Sequence, residues 1–253
     1  MDVKIDQESF KDIKDEILNG RLTMSNIRFY IIGILLYSGF MVGLSFAVAN
    51  ANTVGWENLS IGWHKIYYME AVLFSLHIVI LLLCFAKNNL NQKILMVGLV
   101  ILTYKAALDP FLTMTMFFKD RGVDDIYMPL TLLLLIIGLI IHIIALYKWI
   151  RDLKVKNTKK HLAKRNNSKS LVWISVLFLL VTIVSIVVKN GLLGDYELLF
   201  GVFLFFGLYI AFLIGVCEFV IAAYCVLRFP SFSVNPPLVQ NYTNKKRRKK
   251  KKR

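Results

Sequence analysis

Six uninterrupted apolar blocks govern what this chain can fold into: residues 27–49, 67–86, 94–118, 126–150, 171–188 and 198–227. A helix rises about 1.5 Å per residue, so a block of eighteen to thirty residues matches the roughly 30 Å hydrocarbon core of a bilayer. A chain inside that core must satisfy its backbone polar groups internally, which leaves helices as the natural form for such blocks. The expected architecture is therefore all-α, a polytopic integral membrane protein with a six-helix bundle over 27–227. The last block is long enough to tilt or to project past the bilayer. Composition agrees: 57% of the 253 residues are hydrophobic and only 19% charged, against about 25% charged in an ordinary soluble domain.

The cations set the orientation. Five lie before or at the start of the first block, two between the second and third, nine from Lys148 to Lys169 and ten from Arg228 onward, 26 on one side. The alternate connections hold four: Lys65, Lys119, Arg121 and Lys189. Positive charge is retained on the cytoplasmic side, so both termini are expected in the cytoplasm of a cell (plasma) membrane. Trp56, Trp63, Tyr67, Tyr68 and Tyr127 then mark the outer edge, and Tyr30, Tyr147, Trp149, Trp173 and Phe229 the inner one. Ala47-Val48-Ala49 resembles a signal-peptidase site, but the long acidic segment before it argues for a retained first span.

Outside the spans, residues 1–26 form a cytoplasmic segment. Phe10, Ile13 and Ile17 stand at helical spacing, with Asp6 as N-cap and Gly20 as a stop. A short amphipathic helix packed on the cytoplasmic end of the bundle is expected, with an interfacial anchor as the alternative. Residues 151–170 form a basic cytoplasmic loop. The tail, 228–253, contains Pro230, Pro236 and Pro237 and ends in Lys245, Lys246, Arg247, Arg248, Lys249, Lys250, Lys251, Lys252 and Arg253. Such a run attracts anionic lipid at about 1 kcal/mol per basic residue. A nucleic-acid partner is disfavoured, because no aromatic rings interleave these charges to stack on bases.

Charges within the blocks need a reason to be there, since each costs at least about 2.5–3.5 kcal/mol near the bilayer centre. Five stand out: Glu70, His77, Lys105, Asp109 and Glu218. Counting at about 1.5 Å per residue from Lys87, Lys93 and Arg228 puts His77, Lys105 and Glu218 about 15–18 Å deep, and Glu70 and Asp109 about 24–26 Å deep. Lys105 and Asp109 are four apart and share a helix side; Glu70 and His77, seven apart, do the same. Pro110 is expected to kink the third span beside this cluster. Small residues predict close helix contacts at Gly39 and Gly43, and at Gly207, Ala211 and Gly215, with Glu218 turned into the bundle. The polar cluster reads equally as a packing network, with Lys105 paired to Glu218 or Asp109, and as a proton or ion path.

No zinc-protease, nucleophile-elbow or P-loop motif is present. The three cysteines read as small buried hydrophobes, and the four histidines lie at different depths, so neither a cofactor nor a metal site is expected. His142 reads as a packed or snorkelling residue. The connections on the outer side are too short for a domain. Function is therefore expected to be non-enzymatic, through contacts with another membrane protein: an accessory subunit of a secretion or transport complex, or an immunity protein against a membrane-active toxin. The alternative is a small proton- or ion-coupled carrier using the intramembrane cluster. The Lys-, Asn- and Ile-rich composition is that of a bacterial protein from an AT-rich genome.

Overall fold

A computed structural model describes residues 10–51, 53–83, 85–156 and 197–235, and within them every regular element is helical. The helices are α1 (Lys11–Leu18), α2 (Met24–Ala49), α3 (Ile61–Leu83), α4 (Asn89–Asp120), α5 (Asp124–Lys156) and α6 (Glu197–Arg228), with single 3₁₀ turns at Trp56–Asn58 and Pro230–Phe232. Helices α2 to α6 are each long and apolar enough to cross a membrane, and they coincide with the first four and the sixth of the expected spans. The protein is thus a multi-pass helical membrane protein. The fifth expected span (171–188), the basic loop beyond residue 156, Asp6, Cys84, Trp173 and the run from Lys245 to Arg253 lie outside the described residues.

The turns follow from their sequences. The side chain of Asn88 accepts a hydrogen bond from the Asn91 amide (2.7 Å) and caps the start of α4. At its other end Gly122 takes φ +64°, while the Gly122 amide bonds to Lys119 O (3.1 Å) and the Val123 amide to Phe118 O (3.0 Å). That is the glycine-terminated helix end, in which a left-handed residue lets the chain cap its last carbonyls. Lys119 Nζ then bridges to Asp124 (2.7 Å), closing the tight turn into α5.

Helix α4 is the centre of the bundle. Its apolar window is 67% buried, against 22–33% for the other four long helices, and it packs on both α2 and α6, while α5 packs on α6. Leu95, Met96, Leu99, Leu102 and Ala106 have no exposed surface. The other helices keep wide apolar faces outward, as lipid contact requires. At two glycines a side chain of the facing helix presses on the backbone. A Cβ on Gly98 would stand 2.9 Å from Ile80 of α3, and one on Gly138 would stand 2.1 Å from the edge of the Tyr209 ring of α6.

Two expectations are corrected in detail. Helix α1 ends at Leu18 with Asn19 as its cap, and Gly20 is not in the left-handed region. Its role is clearance: a Cβ there would lie 2.8 Å from the Glu16 backbone, whose carbonyl accepts from the amides of both Gly20 (3.1 Å) and Leu22 (3.0 Å). Pro110 lies inside α4, which runs on through it to Asp120. Of the small-residue positions, Gly39 backs onto the Phe74 ring, but among the described residues no atom lies within 4 Å of a Cβ built on Gly43, Gly207 or Gly215, and Ala211 is exposed.

The amphipathic face of α1 is buried. Phe10, Ile13 and Ile17 join Ile27, Leu95, Ile221, Val226 and Phe232 in one apolar cluster that seals this end of the bundle. Two amide side chains complete the seal. Gln92 donates to Phe232 O (3.1 Å) and accepts from the Val234 amide (2.8 Å). Asn89 donates to Asn235 O (2.9 Å) and accepts from the Asn235 amide (3.0 Å). The first turn of α4 thereby imitates a neighbouring strand and clasps the chain that leaves α6.

Candidate functional site

Lys105 sits on α4 one helical turn before Asp109, and the two form a close pair. Lys105 Nζ donates to Asp109 Oδ1 (2.9 Å) and Oδ2 (3.1 Å) and to Ser38 Oγ of α2 (2.7 Å). Ser38 in turn donates to Asp109 Oδ2. Glu70 of α3 brings Oε2 to 2.5 Å from Nζ, the shortest contact this ammonium makes. The Phe74 ring, one turn along α3, lies 4.6 Å from Nζ and adds a cation–π contact. Lys105, Glu70 and Asp109 are 7%, 8% and 2% exposed.

Around this knot hydrogen bonding is incomplete. His77 Nε2 lies 2.9 Å from the Ile31 carbonyl, which can only accept, so Nε2 carries the ring proton and Nδ1 is left as an acceptor. Nδ1 is buried and unpartnered, as is the hydroxyl of Tyr37, next to Ser38 on α2. Among the described residues, these two are the buried side-chain polar atoms with neither a hydrogen-bond nor an ion-pair partner. Buried polar atoms are nearly always paired, so both are exceptions; the Tyr37 ring itself packs on Phe212 of α6.

Of the five residues singled out from sequence, Glu70, Lys105 and Asp109 meet directly, and His77 shares the inner face of α3 with Glu70. Glu218 does not join them. Its Oε1 lies 2.5 Å from Arg21 Nη2, in the turn between α1 and α2, and Arg21 also contacts Glu16 (3.7 Å). Two physical reasons account for this. Successive helix residues point about 100° apart, so when Cys217 and Val216 enter the core, Glu218 turns toward its flank. Residues 221–226 of α6 also belong to the end layer with α1, so counting from Arg228 places Glu218 too deep.

A second buried polar group was not legible in the sequence beyond the lone histidine in an apolar block. His142 of α5 donates through Nδ1 to Leu213 O of α6 (2.9 Å) and accepts through Nε2 from the Tyr104 hydroxyl of α4 (2.7 Å). Cys217 Sγ also bonds to Leu213 O (3.3 Å). Both ring nitrogens are engaged, so this group clips three helices together rather than offering a site. Among the described residues no three His, Cys, Asp or Glu side chains gather as metal ligands would.

These features define a multi-pass helical membrane protein built around a buried lysine flanked by two carboxylates. Compared with known proteins, the chain matches no family model, no curated protein and no solved structure.

Proposed function

We propose that this is a six-span protein of the plasma membrane, with both termini cytoplasmic, that works without chemistry of its own by contacting another membrane protein. Support for the sixth crossing is the apolar block 171–188, and support for the orientation is the 26-to-4 division of cations. The observation behind the contact role is α6. One side of this helix buries Tyr209, Leu213, Val216 and Cys217, while Gly207, Ala211 and Gly215, four residues apart, stand exposed. Small residues at that spacing let a second helix backbone approach closely inside a membrane. An accessory subunit of a secretion or transport complex and a membrane immunity protein both fit, and the run Lys245–Arg253 holds the cytoplasmic side to anionic lipid.

Photo-crosslinking from positions 207, 211 and 215 in cells tests this. One partner should be captured from all three positions, and its co-purification should fall by roughly tenfold, or about 1.4 kcal/mol, in Gly207→Leu and Ala211→Leu. Crosslinks only to the chain's own residues 171–188 would overturn the reading.

The carrier reading retains one specific observation: two carboxylates share one ammonium in the bundle interior, and intramembrane ionisable groups commonly mark ion paths. Proton flux in proteoliposomes that vanishes in a well-folded Lys105→Met variant would favour it.

A further inference from the structure

At the end of the bundle where Asn89 and Gln92 hold residues 232–235, a cavity of about 250 Å³ lies between the first turn of α4 and the end of α6. That is below the range of about 300–1,000 Å³ for cavities that take drug-sized molecules, and it suits a small polar group. Val226, Leu227 and Pro230 form its apolar wall, and Asn89, Lys93 and Ser233 its polar one, with no carboxylate in the lining. Lys93 is half-buried, and among the described residues no carboxylate pairs with it. Asn89 Nδ2 spends one of its two N–H donors on Asn235 O (2.9 Å), and the start of a helix adds partial positive charge. Positive charge in the cavity is therefore unopposed. Leu90, Val97 and Ile101 stand three, four and eight positions from Lys93, on its side of α4. All three are exposed, as is Leu227 of the cavity wall, so the cavity adjoins an apolar strip at the start of a membrane-length helix.

We propose that this cavity seats the phosphate of one anionic phospholipid. Lys93 pairs with the phosphate, the second N–H of Asn89 bonds one of its oxygens, and an acyl chain lies along Leu90, Val97 and Ile101. Basic pockets between membrane helices at the level of the headgroups bind anionic lipids in this way. A zwitterionic lipid is a poorer fit, because no carboxylate lines the cavity to meet its ammonium. A free phosphate shares the headgroup's contacts but leaves the apolar strip uncovered. The site is separate from the run Lys245–Arg253, whose charges attract anionic lipid without selecting one molecule. It rests on α4 lying in a membrane and is independent of the partner contact proposed for α6.

Native mass spectrometry of the full chain, released from vesicles of equal phosphatidylglycerol and phosphatidylcholine content, tests it. Native protein should retain one phosphatidylglycerol. Retention should fall about fivefold in Lys93→Gln, the effect of one basic residue near a lipid surface, while the variant melts as native protein does. It should return in Lys93→Arg. It should be unchanged in Lys87→Gln, which alters a cation outside the cavity, in a chain ending at residue 235, and in excess inorganic phosphate. Full retention in Lys93→Gln, equal retention of phosphatidylcholine, or displacement by inorganic phosphate would overturn the assignment. So would a gain or a loss of retained lipid in the shortened chain, since either would give the cavity or the lipid to residues 236–253.

Discussion

Lys105 bonds to Asp109 and Ser38 and stands 2.5 Å from Glu70, and its neighbours respond differently to substitution. Lys105→Met leaves two carboxylates facing each other in an apolar interior and should cost about 3–5 kcal/mol, as removal of one partner from a buried ion pair does. Glu70→Gln removes one of two carboxylates from a single ammonium and leaves the Lys105–Asp109 pair whole, so it should cost least, about 1 kcal/mol. Asp109→Asn, which weakens several bonds at once, should fall between them. Unfolding midpoints of the three variants in one detergent give the order, and a Glu70→Gln variant less stable than Asp109→Asn would contradict it. The sequence disclosed part of this knot. Four-residue spacing paired Lys105 with Asp109, and depth brought in Glu70. It could not disclose Ser38 or Tyr37, because a serine or tyrosine in an apolar helix is ordinary until the facing helix is known. Glu218 was misplaced because depth was counted from a cation at the end of a helix that runs into the end layer.

At the scale of elements, helix contacts turn on missing side chains and on borrowed backbone bonds. Gly98→Val would press against Ile80, 2.9 Å from where its Cβ must go, and overpacking of this kind costs about 1–3 kcal/mol. A thermal melt of the purified variant reads that loss. The clasp at the first turn of α4 predicts a local effect instead. Asn89→Ala with Gln92→Ala removes four hydrogen bonds to residues 232–235. Hydrogen exchange at the Val234 and Asn235 amides should accelerate while the core of α4 stays protected; unchanged exchange there would show the clasp does not hold the chain. The long helices were legible because an apolar block admits little else, and α1 because Phe10, Ile13 and Ile17 share a face. The clasp was not. Asn and Gln in a first turn look like capping residues, and their partners lie about 140 positions away in the chain.

At the scale of the whole molecule, α4 is the hub, α1 and residues 230–235 close one end, and apolar faces of α3 and α5 turn outward. The end closed by α1 is also the end at which the described chain stops, at Asn235, ten positions before the nine basic residues from Lys245 to Arg253 in the sequence. A peptide of residues 236–253 should bind vesicles that contain anionic lipid, and the binding should weaken as salt rises, because exposed charges are screened within about 10 Å at 0.1 M salt. The proposed partner contact through α6 and the side on which the basic run lies both depend on how many times the chain crosses the bilayer and which way it faces. Single-cysteine labelling in intact cells, with Cys84, Cys217 and Cys225 replaced, measures both directly. Cysteines at positions 57, 121 and 192 should react with a membrane-impermeant reagent from outside. Those at 90, 160 and 250 should react only after the membrane is opened. Positions 160 and 192 labelling from the same side, or position 250 labelling from outside, would contradict six crossings with both ends in the cytoplasm.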